Sequence, residues 1–314
     1  MRNRVIILIA AVLMTGCAKN VIDPQSPISF APVAEKATRS IIEGTTYPTS
    51  ETFTVSAFFE GTEPYFENLE ASYNSTVTFW ETSTTEYWPL EGSLTFNAYS
   101  PSDAGLTIDE TGVSVTGYTV KTTDEMTTDL CYASATVADC SAHPDAVPLT
   151  FSHALSQIVF RVKAAAYYEN VTLSLNSLSM GGINSVGDFN GTAWENQNTE
   201  YSYTLASTPT VLTYDGENNP ETTDVCSYLF LPQELGANAA INVGYSISQV
   251  VSGTNYSLVN PPVPISLGGG TVTRWEPGKK YIYTLSIGLS NVITISASAV
   301  GWSDENFEII VEDN

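Results

Sequence analysis

From Glu51 onward, apolar and polar residues alternate with a period of two. Phe53, Val55, Ala57 and Phe59 keep that period, as do Leu94, Phe96 and Ala98. Ile158, Phe160 and Val162 repeat it, then Val171, Leu173 and Leu175, Tyr281 to Ile287 and Ile293 to Ala299. Successive side chains of a strand point to opposite faces, so this period predicts antiparallel sheets with one buried and one wetted face. Turn residues fall between the runs: Pro101-Ser102-Asp103, Gly181-Gly182, Asp215-Gly216, Gly268-Gly269-Gly270 and Pro277-Gly278. No stretch has a helical period, and Lys163 to Ala166 reads as the end of a strand. Short strands with frequent turns predict an all-β chain of β-sandwiches, and 314 residues hold two of them. The seam is expected near His153-Ala154, which separates units 40–153 and 154–314.

The first residues carry a different signal. Arg2 and Arg4 precede an apolar run from Val5 to Met14, followed by Thr15-Gly16-Cys17. The run is too short for about 30 Å of hydrocarbon and predicts a secretory signal peptide over 1–16. The small pair before Cys17 resembles a bacterial lipobox, in which the cysteine thiol takes a diacylglycerol and becomes the first residue. Acyl chains contribute about 0.8 kcal/mol per buried CH2, so several anchor a protein stably to a membrane. After a spacer, Ile28 and Phe30 alternate with small residues between Pro27 and Pro32, as in a short half-buried strand fenced by prolines. Arg39 and Ser40 follow in a polar, unpatterned patch, and no further basic residue occurs before Lys121.

Eleven basic residues face 34 acidic ones, net −23. Such a chain repels phosphate backbones, which excludes nucleic acid as a partner. The acids are dispersed, as on the wetted faces of folded sheets. Of four cysteines, Cys17 is assigned to lipid. Cys131 and Cys140 either close a small loop, worth about 2.7 kcal/mol, or stand with Cys226 as three buried thiols; the second reading is preferred. No C-x-x-C pair is present, and His143 and His153 are expected to stand alone, so neither a zinc site nor any other cofactor is expected.

Candidate catalytic groups are few. Glu60, Glu63, Glu67 and Glu70 supply carboxylates of the kind glycoside hydrolysis needs, but read better as a solvated loop. Ser152-His153 lacks a G-x-S-x-G turn, and the triple glycine at 268–270 lacks the Gly-Lys-Ser/Thr of a phosphate cradle. No enzymatic activity is expected. Trp88, Tyr99, Trp275, Tyr281, Tyr283 and Trp302 are candidates for sugar stacking, with core packing the preferred reading.

Four motifs occur in order behind the lipobox. Tyr87-Trp88-Pro89 with Leu94 to Pro101 is the first, and Asp129-Leu130-Cys131-Tyr132-Ala133 the second. Leu149 to Ile158 is the third, and Trp275 to Tyr283 with the strand ending at Trp302 the fourth. Together they resemble the fimbrillin family of Bacteroidales, the subunits of type V pili, over nearly the whole mature chain. Cys131 departs from the aliphatic residue usual there. The resemblance implies two transthyretin-like antiparallel β-sandwich (Greek-key) domains and export as a lipoprotein to the outer membrane surface. It also implies a surface Arg-specific protease that cuts after an arginine, here Arg39, and releases leader 17–39 with the Ile28–Phe30 strand. A neighbouring subunit's strand then fills the groove, a form of β-strand addition that yields a head-to-tail fimbrium. The alternative is a surface lipoprotein that keeps its lipid on Cys17 and binds a glycan or host ligand as a monomer.

Overall fold

The computed structural model describes residues 26–34, 47–120, 128–289 and 293–301. Eighteen strands and one 3-10 turn, Cys140–Ala142, lie among the described residues, so the fold is all-β. The first nine strands are β1 (Ser29–Ala34), β2 (Phe53–Phe59), β3 (Glu63–Asn74), β4 (Phe79–Thr82), β5 (Leu94–Ser100), β6 (Thr107–Asp109), β7 (Gly112–Thr119), β8 (Cys131–Val137) and β9 (Val147–His153). Then come β10 (Ser156–Ala164), β11 (Val171–Phe189), β12 (Trp194–Ala206), β13 (Thr210–Val211), β14 (Thr223–Phe230), β15 (Ala240–Val251), β16 (Thr254–Ser266), β17 (Lys279–Ile287) and β18 (Ile293–Gly301). As expected, the Ala-rich stretch after Lys163 ends a strand.

Seven strands close into a barrel in the order β1-β4-β3-β2-β5-β8-β9, with β9 returning to β1. A four-stranded sheet follows the order β14-β10-β17-β18. A larger one runs β16-β15-β11-β7-β6, with β12 and β13 also paired to β11. One hydrophobic core fills the barrel, from Ile28 to Phe151. A second, larger core takes up the chain at Ala154 and also claims Leu106, Ile108, Val113 and Val120 from earlier in the sequence. That excursion is fixed by β7, which pairs antiparallel with β11 through Val186↔Thr119 and Phe189↔Val115.

The expected wet face of β2 is missing: residues 53–58 are all buried. Phe53, Val55 and Ala57 point into the barrel core, whereas Phe58 belongs to the larger core. The polar residues on its outer face are satisfied, with the Asn68 amide donating to Ser56 Oγ (2.9 Å) and Thr54 Oγ1 donating to the Ser102 carbonyl (3.2 Å). Strand β5 behaves alike, with Leu94, Phe96 and Ala98 inside the barrel and Tyr99 in the larger core. Both strands are therefore walls shared by two cores.

Several strands are also longer than expected; β11 spans 19 residues. Gly181-Gly182, read as a turn, lies inside it. Gly182 has φ +69°, and the β11–β12 register shifts between Met180 and Ile183, so the pair forms a bulge and the strand continues. A Cβ on Gly182 would stand 2.1 Å from the Asn238 carbonyl oxygen, whereas one on Gly181 meets Ser202 Oγ at an ordinary 3.6 Å. Gly182→Ala is accordingly expected to cost about 2–4 kcal/mol, from left-handed strain and a backbone clash. Gly181→Ala is expected to stay within about 1 kcal/mol. Urea unfolding of the two variants measures the difference, and equal midpoints would contradict the bulge.

Candidate functional site: the strand that closes the barrel

Strand β1 is assembled from small residues around one large apolar anchor. Ile28 and Phe30 are 2% and 0% exposed, so the alternation seen in the sequence does bury one face. Phe30 meets Phe53 edge-on at 5.8 Å and Phe96 at 5.6 Å. Burying such a ring is worth roughly 1.5–3 kcal/mol, and each edge-to-face pair adds about 0.5–1.5 kcal/mol.

The backbone of β1 is held unequally on its two sides. It runs parallel to β9 over five residues, from Phe30↔Val147 to Ala34↔Phe151. Against β4 it pairs antiparallel at only Ser29↔Glu81 and Phe30↔Trp80. Pro32, expected to end the strand, lies within it because β4 makes no ladder beyond Phe30 and demands no N–H there. Upstream, the Ile28 amide donates to the Glu86 carbonyl (2.8 Å) and the Trp88 amide to the Ser26 carbonyl (3.1 Å).

Cys17, Arg39 and Ser40 lie outside the described residues, as does Trp302. On the far side of Arg39 the next described anchor is Tyr47, fully buried. Its ring packs on Phe53, Trp80 and Phe151, and its hydroxyl donates to the Thr52 carbonyl (3.0 Å) and shares a bond with Ser100 Oγ (2.8 Å). Burial raises the Tyr47 phenol well above its ordinary range. Arg39 thus sits in the sequence between two independently anchored pieces of the barrel core, β1 and Tyr47.

The remaining candidates are dispersed. Glu63, Glu67 and Glu70 stand exposed on β3, a strand where a loop was expected, and Glu60 is in the preceding turn at φ +49°. Glu70 accepts from Ser102 Oγ (2.8 Å), and Glu60 from the Ser93 amide (3.0 Å). Ser152 and His153 are consecutive in β9 and face opposite ways, His153 into the interior and Ser152 toward an outer cleft. Glycines 268–270 form the turn after β16, with Gly268 against the Leu235 carbonyl. Trp88, Tyr99, Trp275, Tyr281 and Tyr283 are buried, and Trp275 Nε1 donates to the Tyr283 hydroxyl (2.9 Å). These five rings pack cores. The outer cleft, of about 340 Å³, is lined by Asn97, Tyr132, Ser134 and Asn190 among others. Asn97 already donates to the Asp109 carbonyl and accepts from Ser134, and Asn190 Oδ1 accepts from Thr192 and Ala193.

The cysteines and histidines differ partly from expectation. Cys131, Cys140 and Cys226 are free thiols, and Cys226 is only half-buried by exposed area. Burial pushes the Cys226 thiol up to about 12, so it is chemically quiet. The histidines do not stand alone. His143 stacks on Trp88 with ring centroids 4.8 Å apart, and His153 Nδ1 lies 3.0 Å from Asp129 Oδ1 and 3.4 Å from Cys131 Sγ. Sequence spacing concealed this group, because Cys131 and His153 meet only through the β8–β9 register.

Comparison with known proteins bears on the whole architecture. The fimbrillin-like family model matches residues 38–302. A fimbrial protein from Bacteroides vulgatus has the same fold at 16% identity, with a TM-score of 0.62 over 87% of this chain and 99% of that one. A Bacteroides ovatus protein, provisionally described as a cell adhesion protein, superposes with a TM-score of 0.52 at 18% identity, covering 90% of this chain and all of its own. A Bacteroides uniformis protein with the same provisional description gives 0.51 at 15% identity, over 88% of this chain and 98% of that one. Comparison with curated protein sequences returned no match. The solved structures share the fold; the family match spans most of the sequence, and the chain belongs to the fimbrillin-like family.

Proposed function

We propose that this chain is a non-enzymatic fimbrial subunit, exported as a lipoprotein through Cys17 and assembled by exchange of its first strand. The carrying observation is the position of β1: a barrel strand with a buried Phe30, separated from the rest of the barrel core in sequence by the segment that holds Arg39. In this reading a surface Arg-specific protease cuts between Arg39 and Ser40, and leader 17–39 departs with β1. Its loss leaves β4 and β9 as facing edges with unpaired backbone groups, above an apolar trough lined by Phe53 and Phe96. A strand from the next subunit satisfies both edges and refills the trough. Such a joint is head-to-tail and does not close, so it propagates a filament at the cell surface. The two units, 40–153 and 154–314, are taken as transthyretin-like sandwiches, the first closed by β1 until exchange. Family membership and the fold shared with a fimbrial protein support this reading. The buried state of the candidate sugar-stacking rings favours it over a monomeric glycan binder.

Two variants separate the leader's roles. Arg39→Ala is expected to leave unfolding of the precursor unchanged and to abolish filaments on cells, seen by electron microscopy, with the protein recovered still carrying its leader. Filaments built by Arg39→Ala protein would overturn the proposal. Phe30→Ala is expected to destabilise the precursor by about 3–5 kcal/mol in urea, as for other buried ring truncations. Because the leader is discarded, filaments assembled from Phe30→Ala protein should dissociate at the wild-type temperature. A matching loss in the filament would show that β1 stays in the mature subunit.

A further inference from the structure

Three side chains of different chemistry converge on one buried point where the barrel meets the larger core. Cys131 opens β8 and His153 closes β9, and they are register partners. Asp129 stands two residues before Cys131, and all three side chains are buried. Both carboxylate oxygens of Asp129 lie 3.0 Å from His153 Nδ1, with Cys131 Sγ 3.4 Å from the same nitrogen. The three donor atoms fall within 4.8 Å of one another. The neighbouring residues tie the junction together: the Ala154 amide donates to the Leu130 carbonyl (2.8 Å), and Leu130 and Leu155 enter the larger core.

A cysteine nucleophile does not fit this geometry. A relay needs the carboxylate on one imidazole nitrogen and the nucleophile on the other, but here both approach Nδ1. Burial, and then the Asp129 charge, also hold the thiol well above its ordinary range.

We propose that Asp129, Cys131 and His153 form a binding site for a zinc-class divalent cation. Typical Zn–N, Zn–O and Zn–S bonds at tetrahedral angles place neighbouring donors about 3.3–3.6 Å apart. The observed 3.0 and 3.4 Å contacts to Nδ1 are within a few tenths of that spacing, and the third pair of donors lies within 4.8 Å. Charge agrees: a divalent ion with one thiolate, one carboxylate and a neutral imidazole is a net-neutral centre, which a buried site favours. The donor set also selects the ion class, since thiolate and imidazole suit zinc whereas calcium and magnesium take oxygen. Binding replaces the thiol proton and places the imidazole proton on Nε2. The fourth position falls to water, as in zinc sites with three protein ligands. The ion then ties β8 and β9 together at the junction of the two cores.

The test uses the purified full-length chain, loaded with zinc or cobalt(II) and freed of excess metal by gel filtration. One zinc per chain is expected, together with a thiolate-to-cobalt charge-transfer band. Cys131→Val, which keeps an apolar filling, and His153→Gln should lose both the band and the bound metal. Cys17→Ser, Cys140→Ala and Cys226→Val should retain them. Zinc should raise the Tm of the wild-type chain and a chelator should return it. Wild-type chain that holds only background metal and shows no cobalt band overturns the proposal, whether or not the Cys131 and His153 variants fold. A band that survives Cys131→Val but disappears in another cysteine variant overturns it equally, because the site is then elsewhere.

Discussion

Closure of the barrel by β1 is the constraint on which the rest of the N-terminal half depends. A sheet loses its edges only when every strand has two neighbours, and here the last vacancy, between β4 and β9, is filled by a strand from beyond Arg39. Phe30 makes that filling apolar as well as hydrogen-bonded. Its ring touches Phe53 on β2 and Phe96 on β5, so β1 organises strands it does not pair with. The side against β9 has the longer ladder and the side against β4 the shorter. The seam is therefore expected to open first along β4, where only two residue pairs must separate.

What would hold the body together with the seam open is equally visible. Phe58 and Tyr99 carry the outer faces of β2 and β5 into the larger core, and Leu106, Ile108 and Val113 pack there too. Ile28 and Phe30, by contrast, contribute only to the barrel core. Loss of β1 together with Ile28 would remove two large side chains from one core and none from the other. Tyr47, bonded to Ser100 and packed on Phe151, is anchored in the same barrel core. Ile28 and Phe30 thus belong to one core, whereas the β2 and β5 walls around them belong to two.

Much of this was legible in the alternating pattern, and the exceptions share one cause. Period two marked β10, β11, β17 and the Ile28–Phe30 strand because one face of each meets a core. It also promised a wet face on β2, which the structure denies, because a second core covers that face from segments distant in sequence. Gly181-Gly182 carried the composition of a turn and forms a bulge, since β12 stays paired with β11 on both sides of it. Pro32 looked like a strand end and is tolerated because one of its two neighbours stops early. His153 looked solitary because its partners are fixed by strand register across 22 and 24 residues, which local spacing does not report. Local chemistry was readable; facts of register and shared walls were not.

Charge narrows how subunits of this kind can cohere. Without residues 1–39 the chain keeps six basic residues against 32 acidic ones, net −26. Two copies repel at contact distance, and the repulsion is screened only beyond about 8–10 Å at physiological salt. Nor does the surface offer many cations for bridging: Arg161 is already paired with Asp224 at 2.7 Å, and Arg274 lies near Glu234 and Glu276. A stable joint between copies must therefore draw on interactions indifferent to charge. An inserted strand does so, because backbone ladders and alternating apolar side chains carry no net charge and lie inside the barrel wall, away from the acidic surface. The same reasoning accounts for a β1 of Ser, Phe, Ala, Pro and Val: any ionised side chain facing the barrel core beside Phe30 would have to be desolvated. For a chain this acidic, a contact between copies made of backbone ladders and apolar side chains is favoured over one made of paired charges.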